Sequence, residues 1–222
     1  MNDSLLYQLF EQAKLTQYAP GEIIAFDEDN SAFIYCIKSG FVRVYSVNAR
    51  GEEYLHVVYK NGELFPLVRL TGKMQSGVLY EALNSVSVYG IPKTELIKKV
   101  RTAADLSFAL SMQVMSQFNV YTDRLDNLQY KFGRERLAYR ILFLASRFGI
   151  RTERGIIVDL PLTQKVLGNS INLSRETVAR ELRRLEDRGL VVYEDRKILI
   201  LNVEQLASEL KDPINADFWG LK

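Results

Sequence analysis

The pattern of apolar and polar residues changes character twice along the chain. From residue 22 to residue 91, short segments rich in Val, Ile, Tyr and Phe alternate with turn residues, which is typical of strands. We predict strands at 22–26, 33–38, 41–47, 54–60, 64–69, 78–83 and 86–91, preceded by a short helix over about 2–15. Strands this short and this evenly spaced favour a barrel or a jelly roll.

A long helical pattern follows the strands, over about 103–131. Its apolar residues recur every three or four positions, close to a heptad repeat; they are Leu106, Leu110, Val114, Phe118, Tyr121, Leu125 and Leu128. Packing on the core of the same domain would explain one such stripe. Met112, Met115 and Val120 widen the apolar surface, as expected if the helix also contacts a second subunit.

Two short helices joined by a tight turn are predicted between Leu162 and Arg188. Thr163 and Ser174 are placed to cap these helices. Each has an apolar residue directly before it and another at the fourth helical position, and such a pair forms a hydrophobic staple. Asn172 lies between the helices, and Asn is the next best residue to Gly for a left-handed backbone. This pattern indicates a helix-turn-helix.

The second of these helices separates apolar from long polar side chains. Its apolar stripe consists of Val178, Leu182 and Leu185. Glu176 and Arg180 project from the opposite side, and Arg175 lies in the exposed first turn. Because Arg can donate two hydrogen bonds to guanine and Glu can accept from cytosine, this face suits the major groove of DNA. The alternative is a solvated amphipathic helix in an ordinary bundle.

A hairpin is predicted after Gly189. Two apolar, β-branched segments, 190–194 and 197–202, flank Asp195 and Arg196, which is the pattern of a wing following a recognition helix. Arg196 and Lys197 at the tip could reach a phosphate, or they could serve only to keep the tip soluble.

Composition and charge are compatible with DNA binding. The chain has 222 residues, enough for two domains, of which 47% are hydrophobic and 25% charged. The net charge is +2, yet residues 131–222 carry 17 Lys and Arg against 13 Asp and Glu. No apolar run approaches the roughly 18 residues that span a bilayer. The N-terminus lacks a signal-peptide pattern and one Cys allows no intrachain disulfide, so we expect a cytoplasmic protein with no membrane partner.

Residues for catalysis or metal binding are sparse. The chain has one His, one Cys, no Gly-rich phosphate loop and no nucleophile elbow, so we expect no enzyme. His56 and Cys36 are too few for an iron–sulfur cluster or a multi-His metal site. We therefore predict no catalytic residue and no metal site. Axial ligation of a haem by His56 is the alternative, and a packed histidine in a strand is the simpler interpretation.

The segment SRETVARELRRLEDRGLV (174–191), with the wing after it, resembles the DNA-binding end of the CRP/FNR family of bacterial transcription regulators. The segments YAPGEIIAFDED and IYCIKSGFVRVYSVNARGEE resemble the opening strands of that family's effector-binding β-roll. The resemblance implies an α+β fold with three parts. These are a jelly-roll-like β-roll sensor domain at 1–102, a dimerisation helix at 103–131 and a winged helix-turn-helix domain at 132–222.

The same resemblance implies a homodimer that binds double-stranded DNA and contacts RNA polymerase. Bases would be read by Arg175, Glu176 and Arg180. Backbone phosphates would be held by Thr163, Ser174 and Thr177, and the wing residues Arg196 and Lys197 could add to these contacts from the tip. The dimer interface would use Leu110, Val114, Phe118, Tyr121, Leu125 and Leu128. The spacing R-E-x-x-x-R resembles the branch that reads TGTGA-type half-sites.

The effector of the β-roll is not defined by the resemblance. Members that bind cyclic AMP carry a Gly-Glu pair and then an Arg-Ser pair, which hold the ribose and the cyclic phosphate. Here the matching places fall near Pro66-Leu67 and Ser76-Gly77, and no arginine stands at the second. Cyclic AMP is therefore disfavoured, and no other cofactor is indicated. The resemblance implies an effector pocket lined by Ser76, Tyr121 and Thr122, with Glu63 and Arg69 as substitutes in a shifted alignment.

Two functions from different classes follow from the sequence. One is a sequence-specific regulator that reads an inverted-repeat operator, gated by an unidentified effector or by none. The other is a small-molecule sensor whose winged helix contacts a protein instead of an operator.

Overall fold

The computed structural model describes residues 5–26, 33–71, 77–211 and 219–221. The chain divides into two compact units, Met1–Tyr121 and Thr122–Lys222. The division falls inside the long helix. The domain boundaries expected at residues 102 and 131 stay predictions.

The first unit is built on strands, with helices at both ends. In chain order its elements are α1 (Leu5–Glu11), β1 (Lys14–Tyr18), β2 (Ile23–Phe26), β3 (Phe33–Ser39), β4 (Val42–Val47), β5 (Glu53–Tyr59), β6 (Leu64–Phe65), a 3-10 helix (Leu67–Thr71), β7 (Val78–Ala82), β8 (Val86–Pro92), α2 (Lys93–Thr102) and the first part of α3 (Ala104–Gln129). The strands form two four-stranded sheets, with orders β1-β8-β3-β6 and β2-β7-β4-β5. All strand pairs in both sheets are antiparallel.

Aromatic side chains join the two sheets. Phe65 of β6 is fully buried and stacks on Tyr59 and Tyr80 of the other sheet, with ring centroids 6.0 and 5.6 Å apart. A second apolar cluster, including Phe10, Cys36 and Leu96, packs α1 and α2 against the β1-β8-β3-β6 sheet. The strands predicted from residue 22 onward therefore enclose a core between sheets, and the predicted α+β fold is confirmed.

Two expectations for this unit were wrong in detail. The segment 64–69 forms a strand only at Leu64–Phe65 and then a 3-10 helix. Pro66 has no amide hydrogen to donate to the neighbouring strand, so the ladder stops there. The helix expected over 2–15 ends at Glu11, and β1 follows it to pair with β8. Most side chains of β1 are exposed, so no apolar alternation marked it as a strand.

The second unit is the end of α3 followed by a small sheet and helices. Its elements are α4 (Gly133–Phe148), β9 (Gly149–Thr152), β10 (Gly155–Val158), α5 (Gln164–Ile171), α6 (Arg175–Asp187), β11 (Val191–Glu194), β12 (Lys197–Ile200) and α7 (Val203–Ala207). The sheet order is β11-β12-β10-β9. The predicted helix pair and the predicted wing are both present.

The hairpin of β9 and β10 was not predicted. Its first strand is exposed at every position, so the sequence there shows no apolar signal. Gly155 has φ +140, and a Cβ at this residue would lie 2.1 Å from the carbonyl oxygen of Ile200. This close approach of β10 to β12 therefore requires glycine.

Candidate nucleic-acid interface

The caps predicted for the two helices of the helix-turn-helix are formed. The Thr163 hydroxyl accepts a hydrogen bond from the Val166 amide at the start of α5. The Ser174 hydroxyl accepts from the Thr177 amide at the start of α6. Asn172 ends α5 in the left-handed conformation, with φ 54 and ψ 47. The local sequence thus sets both helix starts and the turn between them.

Close contact between α5 and α6 depends on a glycine. A Cβ at Gly168 would lie 2.5 Å from the carbonyl oxygen of Leu173 and 3.4 Å from a methyl group of Val178. Any larger residue would push the turn away from α5. The sequence analysis did not single out this residue, because a glycine inside a short helix gives no local signal of what lies beside it.

The helix α6 buries one face and exposes the other. Val178, Leu182 and Leu185 are at most 1% exposed, so they hold the helix against its own domain. The side chains predicted to read bases, those of Arg175, Glu176 and Arg180, all lie on the exposed face. The structure therefore brings the three together on one surface of one helix.

The start of α6 stabilises the charged form of Glu176. Hydrogen bonds from its own backbone amide and from the Ser174 hydroxyl lower the pKa of this carboxyl group. Unpaired amides at a helix N-terminus favour a negative charge in the same way. The side chain is therefore a hydrogen-bond acceptor, the form that could bind the amino group of cytosine.

The two basic residues at the tip of the wing differ in their surroundings. Asp195 and Arg196 both have positive φ, 50 and 62, which matches the turn that joins twisted strands. Arg196 is exposed. The Lys197 ammonium lies 2.6 Å from a carboxylate oxygen of Asp159, so it is already paired within the protein. Of the two residues predicted at the tip, Arg196 is the more accessible to a phosphate.

Two hydrogen bonds that the sequence did not predict attach the wing to the helix pair. The Tyr193 hydroxyl donates to the Leu162 carbonyl oxygen over 2.9 Å. The Tyr193 amide donates to a carboxylate oxygen of Glu186 over 2.8 Å. Only the folded chain brings these residues together, because no spacing rule connects a wing strand to the segment before α5.

The residues expected to line an effector pocket have different surroundings. Arg69 is 5% exposed and donates to the carbonyl oxygens of Phe26 and Phe33, so its guanidinium is engaged by the main chain. A Glu63 carboxylate oxygen accepts from the Lys60 amide over 2.9 Å. Ser76 lies outside the described residues. Tyr121 and Thr122 follow each other on α3, Tyr121 partly exposed and Thr122 half-buried.

A buried polar group beside Tyr121 was missed by the sequence analysis. Tyr59 is 4% exposed, and its hydroxyl lies 3.3 Å from the amide oxygen of Gln117, which is itself buried. Burial, with Tyr121 and Tyr80 beside it, raises the pKa of Tyr59 well above its ordinary value. The Gln117 amide donates to the Leu64 carbonyl oxygen over 2.6 Å. These bonds fix α3 to the β-roll of its own unit.

The apolar residues of α3 divide between two environments. Leu110 is half-buried and packs against the core of the first unit, together with Leu106 and Ala109. This part of the helix therefore covers the roll, and the place of Leu110 in a dimer interface stays a prediction. Leu128 is half-buried as well. The apolar residues of α3 that are exposed are Phe108 (68%), Met112 (55%), Val114 (46%), Met115 (55%), Phe118 (59%), Tyr121 (38%) and Leu125 (64%).

Neither a membrane span nor a metal cluster is found in the part of the chain that the structure describes. None of its helices is both long and apolar enough to cross a bilayer. No group of three or more His, Cys, Asp or Glu side chains in these ranges could hold a metal ion.

Comparison with known proteins assigns both units to families. Residues 15–103 match the cyclic nucleotide-binding domain, and residues 135–209 match the Crp-like helix-turn-helix domain. The structure of FixK2 from Bradyrhizobium japonicum aligns with a TM-score of 0.77 at 21% identity, covering 91% of this chain and 99% of that chain. At this identity the likeness concerns the fold alone.

Two curated relatives match this chain over most of their length. The transcriptional activator protein FnrA of Stutzerimonas stutzeri is 29% identical over 184 residues, which cover 82% of this chain and 74% of the relative. The global nitrogen regulator of Synechococcus elongatus is 23% identical over 198 residues, covering 88% of this chain and 89% of the relative. The chain belongs to the CRP/FNR family, and it is a transcription regulator with a helix-turn-helix DNA-binding domain.

Proposed function

We propose that the protein is a homodimer that binds an inverted-repeat operator in double-stranded DNA, with α6 of each subunit in the major groove. The observation that carries the proposal is the exposed row of Arg175, Glu176 and Arg180 opposite the buried stripe of the same helix. A helix held by one face, with bidentate donors and an acceptor on the other, has the chemistry of direct base readout.

The residues have distinct roles in this proposal. Arg175, Glu176 and Arg180 read bases, with a TGTGA-like half-site as the expected sequence. Thr163, Ser174 and Thr177 stand at the starts of α5 and α6, where backbone amides favour a phosphate. Arg196 supplies a further phosphate contact from the wing. Lys197 does so only by leaving its ion pair with Asp159.

A second copy of this chain is the partner that fits the exposed face of α3. Phe108 and Met115 are seven residues apart, as are Phe118 and Leu125, which is the repeat of a two-stranded coiled coil. Each of these four side chains is more than half exposed in the single chain. Soluble monomers rarely leave so continuous an apolar surface uncovered. A homodimer of this kind would read two half-sites one helical turn of DNA apart, about 34 Å.

The effector of the β-roll stays unidentified, and the protein could act without one. Cyclic AMP is disfavoured, because Arg69, the arginine that could have replaced the missing phosphate ligand, already donates to main-chain carbonyls. In this proposal the regulator acts in the cytoplasm, contacts RNA polymerase from the operator and catalyses no reaction.

Selection from random duplex DNA tests the proposal. Purified full-length protein is used without ligand and again with cyclic AMP, and the bound DNA is sequenced. We expect an inverted repeat with TGTGA-like half-sites in both conditions. Enrichment only with cyclic AMP would overturn the effector assignment. Recovery of a single half-site would overturn the dimer, and no enrichment in either condition would favour a winged helix that contacts protein.

A further inference from the structure

The first turn of α4 packs against the turn of the helix-turn-helix. A Cβ on Gly133 would lie 3.3 Å from the Leu173 side chain and 3.6 Å from the Thr177 methyl group. Leu173 precedes the cap of α6, and Thr177 lies in its first turn. The position of α4 therefore bears directly on the end of α6 that would enter the groove.

Arg136, three residues further along α4, bonds to the turn itself. Its Nη1 atom donates to the Ile171 carbonyl oxygen over 3.0 Å and lies 3.5 Å from the Asn172 carbonyl oxygen. These carbonyls belong to the last residue of α5 and to its left-handed cap. Carbonyls at a helix C-terminus lack intrahelical donors and carry a partial negative charge, so a guanidinium is a favourable partner.

The main chain of Arg136 is held from a third element. The Asn127 amide group, in the last turn of α3, donates to the Arg136 carbonyl oxygen over 2.8 Å. Asn127 is 1% exposed, so the donor of this bond is shielded from competing water. Leu125, part of the exposed face of α3, stands two residues before Asn127. One residue thus joins the end of α3 to the turn before α6.

We propose that Arg136 is a positioning residue for the recognition helix: it fixes the left-handed turn between α5 and α6 to the end of α3 and thereby sets how α6 meets DNA. Arg136 itself need not touch a base. The role of α6 in reading DNA rests on the function proposed above, whereas the structural link between Asn127, Arg136 and the turn does not.

Two matched variants test the link without DNA. Arg136→Met keeps the apolar stem and removes the donors, and Arg134→Met removes the same charge from an exposed neighbour. Hydrogen–deuterium exchange of the amides at 171–178 should accelerate about tenfold in Arg136→Met and stay at the wild-type rate in Arg134→Met. Equal exchange in the two variants would overturn the proposal.

Operator discrimination tests the consequence. Discrimination is the ratio of affinities for the selected operator and for the same duplex with one half-site scrambled. We expect Arg136→Met to lower it about tenfold, while affinity for random duplex falls no further than in Arg134→Met. A merely destabilised domain would lose both affinities together, and that result would overturn the positioning role.

A second variant covers the case in which Arg136→Met does not fold. Asn127→Leu leaves the guanidinium and both of its carbonyl acceptors in place and removes only the bond from α3. Like Arg136→Met, Asn127→Leu should increase the amide exchange rate at 171–178 and lower operator discrimination. Wild-type behaviour of Asn127→Leu would overturn the proposed link to α3. If wild-type protein selects no operator, the proposed function fails, and the exchange results still decide whether the link exists.

Discussion

Cys36 has no exposed surface and packs with Phe10, Ile34 and Leu64 in the core of the first unit. Burial raises the pKa of its thiol to about 12, with a smaller contribution from Glu11. Since only the thiolate is a good nucleophile, this cysteine is a small apolar core residue at neutral pH.

The thiol of Cys36 should therefore resist alkylation in the folded protein. With iodoacetamide at pH 8, we expect modification on the order of a hundredfold slower than that of a free thiol, because so little thiolate is present. Mass spectrometry measures the rate, and the same reaction in urea is the control. Rapid modification of folded protein would contradict the packing described for Cys36.

Arg140 is also buried, at 4% exposure, and its Nε atom has no hydrogen-bond partner. Burial lowers the pKa of its guanidinium to about 9, and Arg124 and Arg147 add to the effect. The pKa in the folded state is thus below that in the unfolded state. The penalty for burying the charge is complete below pH 9 and is relieved as the pH rises from about 9 towards 12.

Arg140→Met should accordingly stabilise the second unit at neutral pH. We expect its free energy of unfolding to rise by on the order of 1–2 kcal/mol at pH 7, and the difference from wild type to shrink at pH 10.5. Urea unfolding at the two pH values measures both quantities. Arg134→Met, which removes an exposed charge, should show neither effect. A less stable Arg140→Met at pH 7 would show that the interactions of the guanidinium with the Phe143 ring and with Asp123 outweigh the cost of its burial.

At the scale of elements, the turn between α5 and α6 is held by a residue in the left-handed region. Asn172 occupies this conformation with its side chain exposed. Asn and Gly tolerate it, whereas a residue with an ordinary Cβ pays a steric cost.

Substitutions of Asn172 should show whether its backbone conformation or its side chain stabilises the turn. Asn172→Ala should lower the free energy of unfolding by about 1 kcal/mol, and Asn172→Gly should change it by only a few tenths. Thermal or urea unfolding of the full chain provides the measurement. Equal losses in the two variants would mean that the Asn172 side chain, and not its backbone, stabilises the turn.

The two faces of the helix-turn-helix should respond differently to substitution. Arg180→Ala is expected to cost on the order of 1–3 kcal/mol of binding free energy and to relax specificity at one base position. Thr163→Ala should weaken binding to all duplexes similarly, because the contact proposed for Thr163 is with the DNA backbone. Competition with operators altered one base at a time makes the comparison. If Arg180→Ala weakened binding to all of these operators equally, Arg180 would not be a base-reading residue.

At the scale of the whole molecule, the exposed apolar face of α3 determines the expected assembly. Phe118 and Leu125 are 59% and 64% exposed, although both are large and apolar. In a two-fold pair of helices these positions face each other, and burial of such residues is a main source of association free energy.

A charge in this face should therefore separate the subunits. Phe118→Glu and Leu125→Glu are expected to sediment as monomers and to lose at least about tenfold in operator affinity, because one half-site supplies too few contacts. Ile150→Glu is the matched control, since Ile150 is 52% exposed and lies on β9, outside α3. A dimeric Phe118→Glu with wild-type affinity would place the interface elsewhere.

The sequence by itself determined the features that depend on neighbouring residues in the chain. Thr163 and Ser174 as caps, Asn172 in the turn, and the buried stripe of α6 all follow from local hydrogen bonding and helical periodicity. The long helix and the wing were predicted for the same reason. Their signals lie within a few residues of the structure they specify.

Only the tertiary structure decided which surface each side chain meets. The spacing of α3 put Leu110 and Phe118 in one stripe, yet Leu110 packs on the roll and Phe118 is exposed. Arg69 was a candidate ligand by sequence, and its main-chain acceptors are distant residues. The bonds of Arg136 span 35 residues to Ile171. Periodicity shows that a side chain belongs to a face, but which distant segment covers that face is determined only when the chain folds.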